Sequence, residues 1–196
     1  MSRAGAQPRK RPEPKRKSSI GKWIGFGIPI IGIVGLVLFG VLSSGPNEAV
    51  VASAAPDFSL PTSDGTMVSL QDVMAKGGDV LLYFSMGVGC DGCFAQIPEI
   101  ASDLAAKGIT FVPIMVNPAD QVATEAARFG ITTPILIDSN RKTSSAYGML
   151  GVYGHSDRPA HSFALVGQDG TIKWVHHYAK MFVPADEFMS DLANRA

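Results

Sequence analysis

The stretch Val80-Leu-Leu-Tyr-Phe-Ser-Met-Gly-Val-Gly-Cys-Asp-Gly-Cys93 decides the reading of this chain. Its first six residues, Val80–Ser85, are a continuous apolar run of strand length, as a central strand buried on both faces requires. Glycines then break the strand. From Cys93 to Lys107 the pattern predicts a helix: Cys93, Ile97, Ile100 and Leu104 fall on one face, and Gly108 supplies the stop. Both cysteines of the 196-residue chain therefore stand where a buried strand turns into a helix.

That placement has chemical consequences. A helix N-terminus carries partial positive charge and free N–H groups, which stabilise a thiolate. Two intervening residues let the sulfurs close a small disulfide ring. Cys90, in the turn, is expected to be the more exposed, attacking sulfur, and Cys93 to resolve the mixed disulfide from inside. The pair is also open to other readings: a structural disulfide, half of a zinc site, or two core thiols. A zinc site needs two more ligands, and no second C-x-x-C exists. Asp91, inside the motif, is expected either to raise the Cys90 pKa and make the pair a reductant, or to cap the helix.

Outward from the motif, strands and helices alternate. Phe58–Leu60 and Met67–Leu70 flank Ser63-Asp64-Gly65, a hairpin signal. Ile109–Asn117 is a second β-rich run, 118–129 a helix with Pro118 in its first turn, and Pro134–Ile137 a short strand. Ser162–Val166 and Ile172–His177 flank Gln168-Asp169-Gly170, a second hairpin, and Pro184–Ala193 closes the chain as a helix. The order predicts an α/β sandwich with a mixed central sheet and an N-terminal β-hairpin.

The neutral net charge hides a split. Residues 1–22 hold eight basic residues and one acid, whereas 43–196 hold nine basic and sixteen acidic residues. The first segment reads as a disordered basic tail, and the acidic remainder has no nucleic-acid footprint. Between them, Trp23–Leu42 passes without a charge. Twenty residues at about 1.5 Å rise span about 30 Å, the hydrocarbon thickness. The expectation is one transmembrane signal-anchor helix, 23–42, in the cytoplasmic membrane. The basic tail 1–22 would lie inside the cytoplasm, 43–55 would be a tether, and the working domain, 56–196, would lie outside. Cleavage as a signal peptide is the competing reading; the nearest small-x-small site, Ala52-Ser53-Ala54, is ten residues beyond Leu42.

Over about residues 55–180 the chain resembles the thioredoxin-fold redoxins. The likeness is to membrane-anchored thiol–disulfide oxidoreductases of the TlpA/ResA type, which overlap the AhpC/TSA peroxiredoxin group. It rests on Ala55-Pro-Asp-Phe-Ser-Leu60, the Asp64-Gly65 turn, Val68-Ser-Leu70 and the strand leading to the C-x-x-C. Pro98 and Phe163-Ala-Leu-Val-Gly-Gln-Asp-Gly170 extend it. The resemblance implies a thioredoxin-like fold and a pair, Cys90 and Cys93, that cycles between dithiol and disulfide. It implies no cofactor, because electrons pass through a partner protein. The departures are specific. Gly89 stands where these reductases have Trp. Gln96 fills the slot of a buried proton-accepting Glu. His161 falls at the slot of a cis-proline, with Pro159 two residues earlier. Peroxiredoxins of the group place Thr three residues before the reacting Cys, where this chain has Gly87, and an Arg near the cis-proline, for which Arg158 and His161 are the candidates.

His161 is expected to serve the sulfurs as a proton acceptor or as an imidazolium. His176 and His177, adjacent in a strand, would point to opposite faces and not chelate together. The expected function is extracytoplasmic thiol–disulfide exchange with a protein partner. One alternative is a thiol peroxidase using the same cysteines. Another is a redox-inert or copper-binding module in which the cysteines and His161 are ligands.

Overall fold

A computed structural model describes residues 53–195. The tail 1–22, the expected membrane helix 23–42 and most of the tether lie outside the described residues. Among the described residues no helix is long and apolar enough to cross a membrane.

The described chain runs β1 (Ser59–Pro61), β2 (Met67–Ser69), α1 (Leu70–Met74), β3 (Val80–Ser85), α2 (Asp91–Ala106), β4 (Thr110–Met115) and α3 (Ala119–Arg128). It continues with β5 (Leu136–Ile137), α4 (Lys142–Ala146), a 3-10 turn at Val152–Gly154, β6 (His161–Val166), β7 (Ile172–Tyr178) and α5 (Ala185–Arg195). Strands β1 and β2 form the expected hairpin. The other five make one mixed sheet in the order β5-β4-β3-β6-β7. β3 pairs parallel with β4 and antiparallel with β6, so the apolar run lies at the centre.

Side-chain alternation along β3 separates two cores. Leu81 and Tyr83 face α2 and α5, packing with Phe94, Ile97, Ile100, Leu104, Phe163, Phe188 and Leu192. Val80, Leu82 and Phe84 face the other way, toward Phe58 and Leu60 of the hairpin segment, Leu70 and Val73 of α1, and Met149. The described domain is thus three layers deep, and every residue of β3 is buried.

Two short helices escape the sequence pattern because side chains, not periodicity, define them. α1 is held by a capping box in which the Ser69 side chain accepts the Asp72 N–H and the Asp72 carboxylate accepts the Ser69 N–H. Before α4, the buried Asp138 carboxylate accepts the Ser144 N–H and hydroxyl, each at 2.7 Å.

Phe163 sits on the α2/α5 side of the sheet with no exposed surface, stacked 4.5 Å from Tyr83 and 4.7 Å from Phe188. Phe163→Ala is expected to destabilise the fold by about 3–5 kcal/mol in denaturant unfolding.

Candidate active site

α2 begins at the cysteines. Cys90 is its N-cap: the backbone there is extended, and the sulfur accepts the Cys93 N–H at 3.2 Å. The expected helix start at Cys93 is therefore corrected to Asp91, and Asp91 does not cap the helix; a sulfur does. The preceding turn is closed by the Cys90 N–H donating to the Gly87 carbonyl at 3.0 Å. Asn117, just past β4, fixes that turn by accepting the Val88 N–H on Oδ1 at 3.0 Å. Gly87 has φ +73°, and a Cβ there would lie 2.0 Å from the same oxygen. The residue must be glycine while Asn117 holds the loop.

Cys90 and Cys93 are joined in a disulfide, with Cα atoms 5.3 Å apart. Cys90 retains 6% of its residue surface and Cys93 none, so Cys90 is the less enclosed of the two.

A chain of buried hydrogen bonds runs beneath the disulfide. Gln96, fully buried on α2, grips the backbone of Val183: its Nε2 donates to the Val183 carbonyl at 3.0 Å and its Oε1 accepts the Val183 N–H at 2.7 Å. Those two bonds fix which way the amide points. His161 Nε2 lies 3.1 Å from that same oxygen, so Nε2 must carry the proton. Nδ1 is then an acceptor, and the Tyr83 hydroxyl, 2.9 Å away, donates to it. The same hydroxyl lies 3.2 Å from the Cys93 carbonyl. The backbone before α5 is thereby connected, through Gln96 and His161, to Tyr83, whose single hydroxyl proton goes to His161 and whose oxygen lies against the inner cysteine. Burial pushes the His161 pKa down to about 3. This environment disfavours the expected imidazolium: burial favours neutral His161, and both of its ring nitrogens have a partner within hydrogen-bond distance.

Gly92, Gln96 and Glu99 lie on one face of α2 and receive the segment 179–185. Glu99 Oε1 accepts the Ala185 N–H at 3.0 Å. A Cβ at Gly92 would lie 2.8 Å from the Met181 carbonyl oxygen. This segment forms a strap across the motif helix, with Phe182 38% exposed beside Gly92.

The AhpC/TSA family matches residues 51–175. The chain belongs to that family. A protein of Mycobacterium tuberculosis carrying a provisional peroxiredoxin name is 32% identical over 60% of this chain and 78% of its own length. The thiol–disulfide oxidoreductase ResA of Geobacillus thermodenitrificans is 30% identical over 61% of this chain and 70% of its own. The crystal structure of the peroxidoxin BcpB from Mycobacterium tuberculosis aligns with a TM-score of 0.62 at 22% identity, covering 76% of this chain and 99% of that one, and supports the thioredoxin-like fold. Like its relatives, the chain is an oxidoreductase of thiol chemistry.

The remaining candidates of this redoxin are distributed unevenly. Arg158 is exposed on the bend before β6, while Pro159 is buried in an antiparallel bridge with Leu150. Among the described residues all peptide bonds are trans, that of Pro159 included. The Asp91 carboxylate is engaged by Arg128 of α3, with Nη2 2.5 Å from Oδ1. His176 and His177 take opposite faces of β7: His176 stacks on Trp174, and His177 Nδ1 lies 2.8 Å from the Ser162 hydroxyl. Among the described residues no three His, Cys, Asp or Glu side chains group as a metal site. Tyr83, Asn117, Arg128 and Val183 were not singled out from sequence. Only Tyr83 left a trace there, as a phenol inside an apolar strand.

Two outcomes follow from this geometry. Below the ordinary His pKa of about 6.5 the unfolded chain binds a proton at His161 that the folded chain refuses. Folding stability should therefore fall as pH drops from about 6.5 toward 3, by on the order of 4 kcal/mol from this group; 15N NMR at pH 5 should show His161 neutral and protonated on Nε2. Alanine is the better helix former, so Gly92→Ala should gain about 1 kcal/mol on propensity alone. The Met181 carbonyl opposes it, and the substitution should instead lower Tm and increase protease cleavage within 179–184.

Proposed function

We propose that this protein is a thiol–disulfide oxidoreductase that exchanges electrons with partner proteins through Cys90 and Cys93. In the reductive half-cycle a partner thiolate attacks the Cys90 sulfur. The S–S bond breaks, and Cys93 leaves with the electron pair and takes up a proton. The partner's second thiol then loses its proton and attacks its own half of the mixed disulfide, releasing Cys90 as a thiolate. The partner is oxidised to a disulfide and the pair is reduced. Running the sequence backward reduces a substrate disulfide. Electrons come and go with the partner, so the cycle needs no cofactor. Cys90 meets the incoming sulfur at a helix N-terminus suited to a thiolate.

The observation that carries this reading over a peroxidase is the construction around Gly87. The peroxidases that the sequence resembles hold a Thr three residues before the reacting cysteine. Here that position is a glycine with φ +73°, and Asn117 Oδ1 occupies the space a side chain would need. The peroxidase reading keeps one observation of its own: Cys90 is only 6% exposed, which a small oxidant tolerates better than a protein does. In that chemistry the Cys90 thiolate would take oxygen from the peroxide, and Cys93 would condense with the sulfenic acid, releasing water.

We further place the domain outside the cytoplasmic membrane, anchored through residues 23–42. The uncharged run Trp23–Leu42 behind a strongly basic tail supports this placement. Protease added to intact spheroplasts should remove the domain while leaving the tail.

The purified, fully reduced chain distinguishes the two chemistries. Thiol loss should be at least tenfold faster with a disulfide-bonded protein such as insulin than with hydrogen peroxide at equal concentration, and Cys90→Ser should abolish both. Faster loss to peroxide would assign the peroxidase.

A further inference from the structure

The carboxylate inside the motif has a counter-charge 37 positions along the chain. Asp91 is the first residue of α2, adjoining the Cys90 cap. Arg128, at the end of α3, reaches it with two nitrogens: Nη2 stands 2.5 Å from Oδ1 and Nη1 3.5 Å from Oδ2. The guanidinium is also prepared for this contact. Glu125 Oε2 accepts from Arg128 Nε at 2.8 Å and lies 2.7 Å from Nη2. The guanidinium carbon stands 4.4 Å from the centre of the Phe129 ring. Phe129 in turn stacks, at 5.7 Å, on Phe94, a fully buried residue of α2. The side chain is thus braced by its own helix and by the aromatic pair joining α3 to α2. Part of the entropy that makes exposed ion pairs weak has already been spent in that bracing.

We propose that Arg128 is a positioning residue that tunes the redox pair by engaging Asp91 and drawing its negative charge away from the Cys90 sulfur. This deepens the thiol–disulfide reading above and rests on it. In the exchange already described, Cys90 is released as a thiolate when the pair is reduced. A bare carboxylate next to that sulfur disfavours the thiolate and so disfavours the reduced state. Arg128 offsets this. Glu125 draws on the same guanidinium, so the compensation of Asp91 is partial. Lys180 and Glu187 are bound to each other, and His161 is held neutral by burial. Arg128 is the cation paired with the motif carboxylate.

The sign is fixed. Without Arg128, Asp91 opposes the thiolate, and the disulfide becomes harder to reduce. Both partners are partly exposed, at 51% and 73% of their side-chain surface, so solvent screens the effect and the change is modest.

The test is a double-mutant cycle on the full-length chain, equilibrated at pH 7 with mixtures of reduced and oxidised glutathione. The readouts are the dithiol-to-disulfide ratio and the Cys90 thiolate titration followed by absorbance at 240 nm. Arg128→Gln should lower the dithiol-to-disulfide ratio roughly two- to fivefold and move the thiolate titration to higher pH. Asp91→Asn/Arg128→Gln should return both to the wild-type value or beyond, and Arg128→Lys should recover part of the loss. One molar salt should shrink the difference between wild type and Arg128→Gln.

The proposal is overturned if Arg128→Gln equilibrates like wild type. It is also overturned if the effect of Arg128→Gln is just as large in the Asp91→Asn background, since the guanidinium would then act without the carboxylate. A thermal shift with unchanged thiolate titration would assign Arg128 a structural role and overturn the proposal too. The wild-type chain separates this failure from that of the parent reading: a wild-type pair that never equilibrates with glutathione overturns both, whereas one that equilibrates while the variants match it overturns only the role of Arg128.

Discussion

The side chain of Gln96 joins the parts of this site that the chain itself keeps far apart. One amide bonds the Val183 N–H and carbonyl and receives the proton of His161 Nε2, all without exposed surface. Its two ends are different chemical groups, and each has a backbone partner of the matching kind. That fixes the orientation of the amide, which fixes the tautomer of His161, which leaves Nδ1 to accept the Tyr83 proton. A carboxylate at position 96 would have lost the donor to Val183 and placed a buried charge beside His161. The departure from the buried Glu of related reductases is thus matched by the departure at His161, and the two changes make a satisfied neutral network.

That network has consequences for chemistry. A buried acid under a C-x-x-C pair offers a proton acceptor whose charge changes in the working pH range. Here the corresponding groups are an amide, which does not titrate, and an imidazole held far below its ordinary range by burial. The charged groups at the motif then lie on its surface side, where Cys90 caps α2 and Asp91 meets Arg128. Below the disulfide the structure provides rigidity: Tyr83 against His161, Gln96 against the strap, and Asn117 against the Gly87 turn.

The sheet and the motif were readable because they depend on local pattern. Val80–Ser85 is a short run apolar at nearly every position, as a strand buried on both faces requires, and α2 carries a regular apolar stripe. The start of α2 was misplaced by two residues because its cap is a cysteine sulfur, outside the usual Ser, Thr, Asp and Asn. α1 was missed although its capping box, Ser69 and Asp72, stands in the sequence; five residues are too few to show a period. Gln96 with Val183, His161 with Tyr83, and Asp91 with Arg128 are separated by 87, 78 and 37 positions. No spacing rule connects such pairs. The same limit hides from the sequence the Arg128 partner of Asp91 and the buried partners of His161.

The most direct test of the account is to ask what becomes attached to Cys90 when Cys93 can no longer resolve it. Full-length Cys93→Ser should be expressed in its host, quenched in acid and resolved by non-reducing electrophoresis and mass spectrometry. Thiol–disulfide exchange predicts covalent complexes joined through Cys90 to cysteines of other proteins and released by dithiothreitol. Cys90 recovered instead as sulfenic or sulfinic acid, with no protein attached, would contradict the account and identify a peroxide-consuming site.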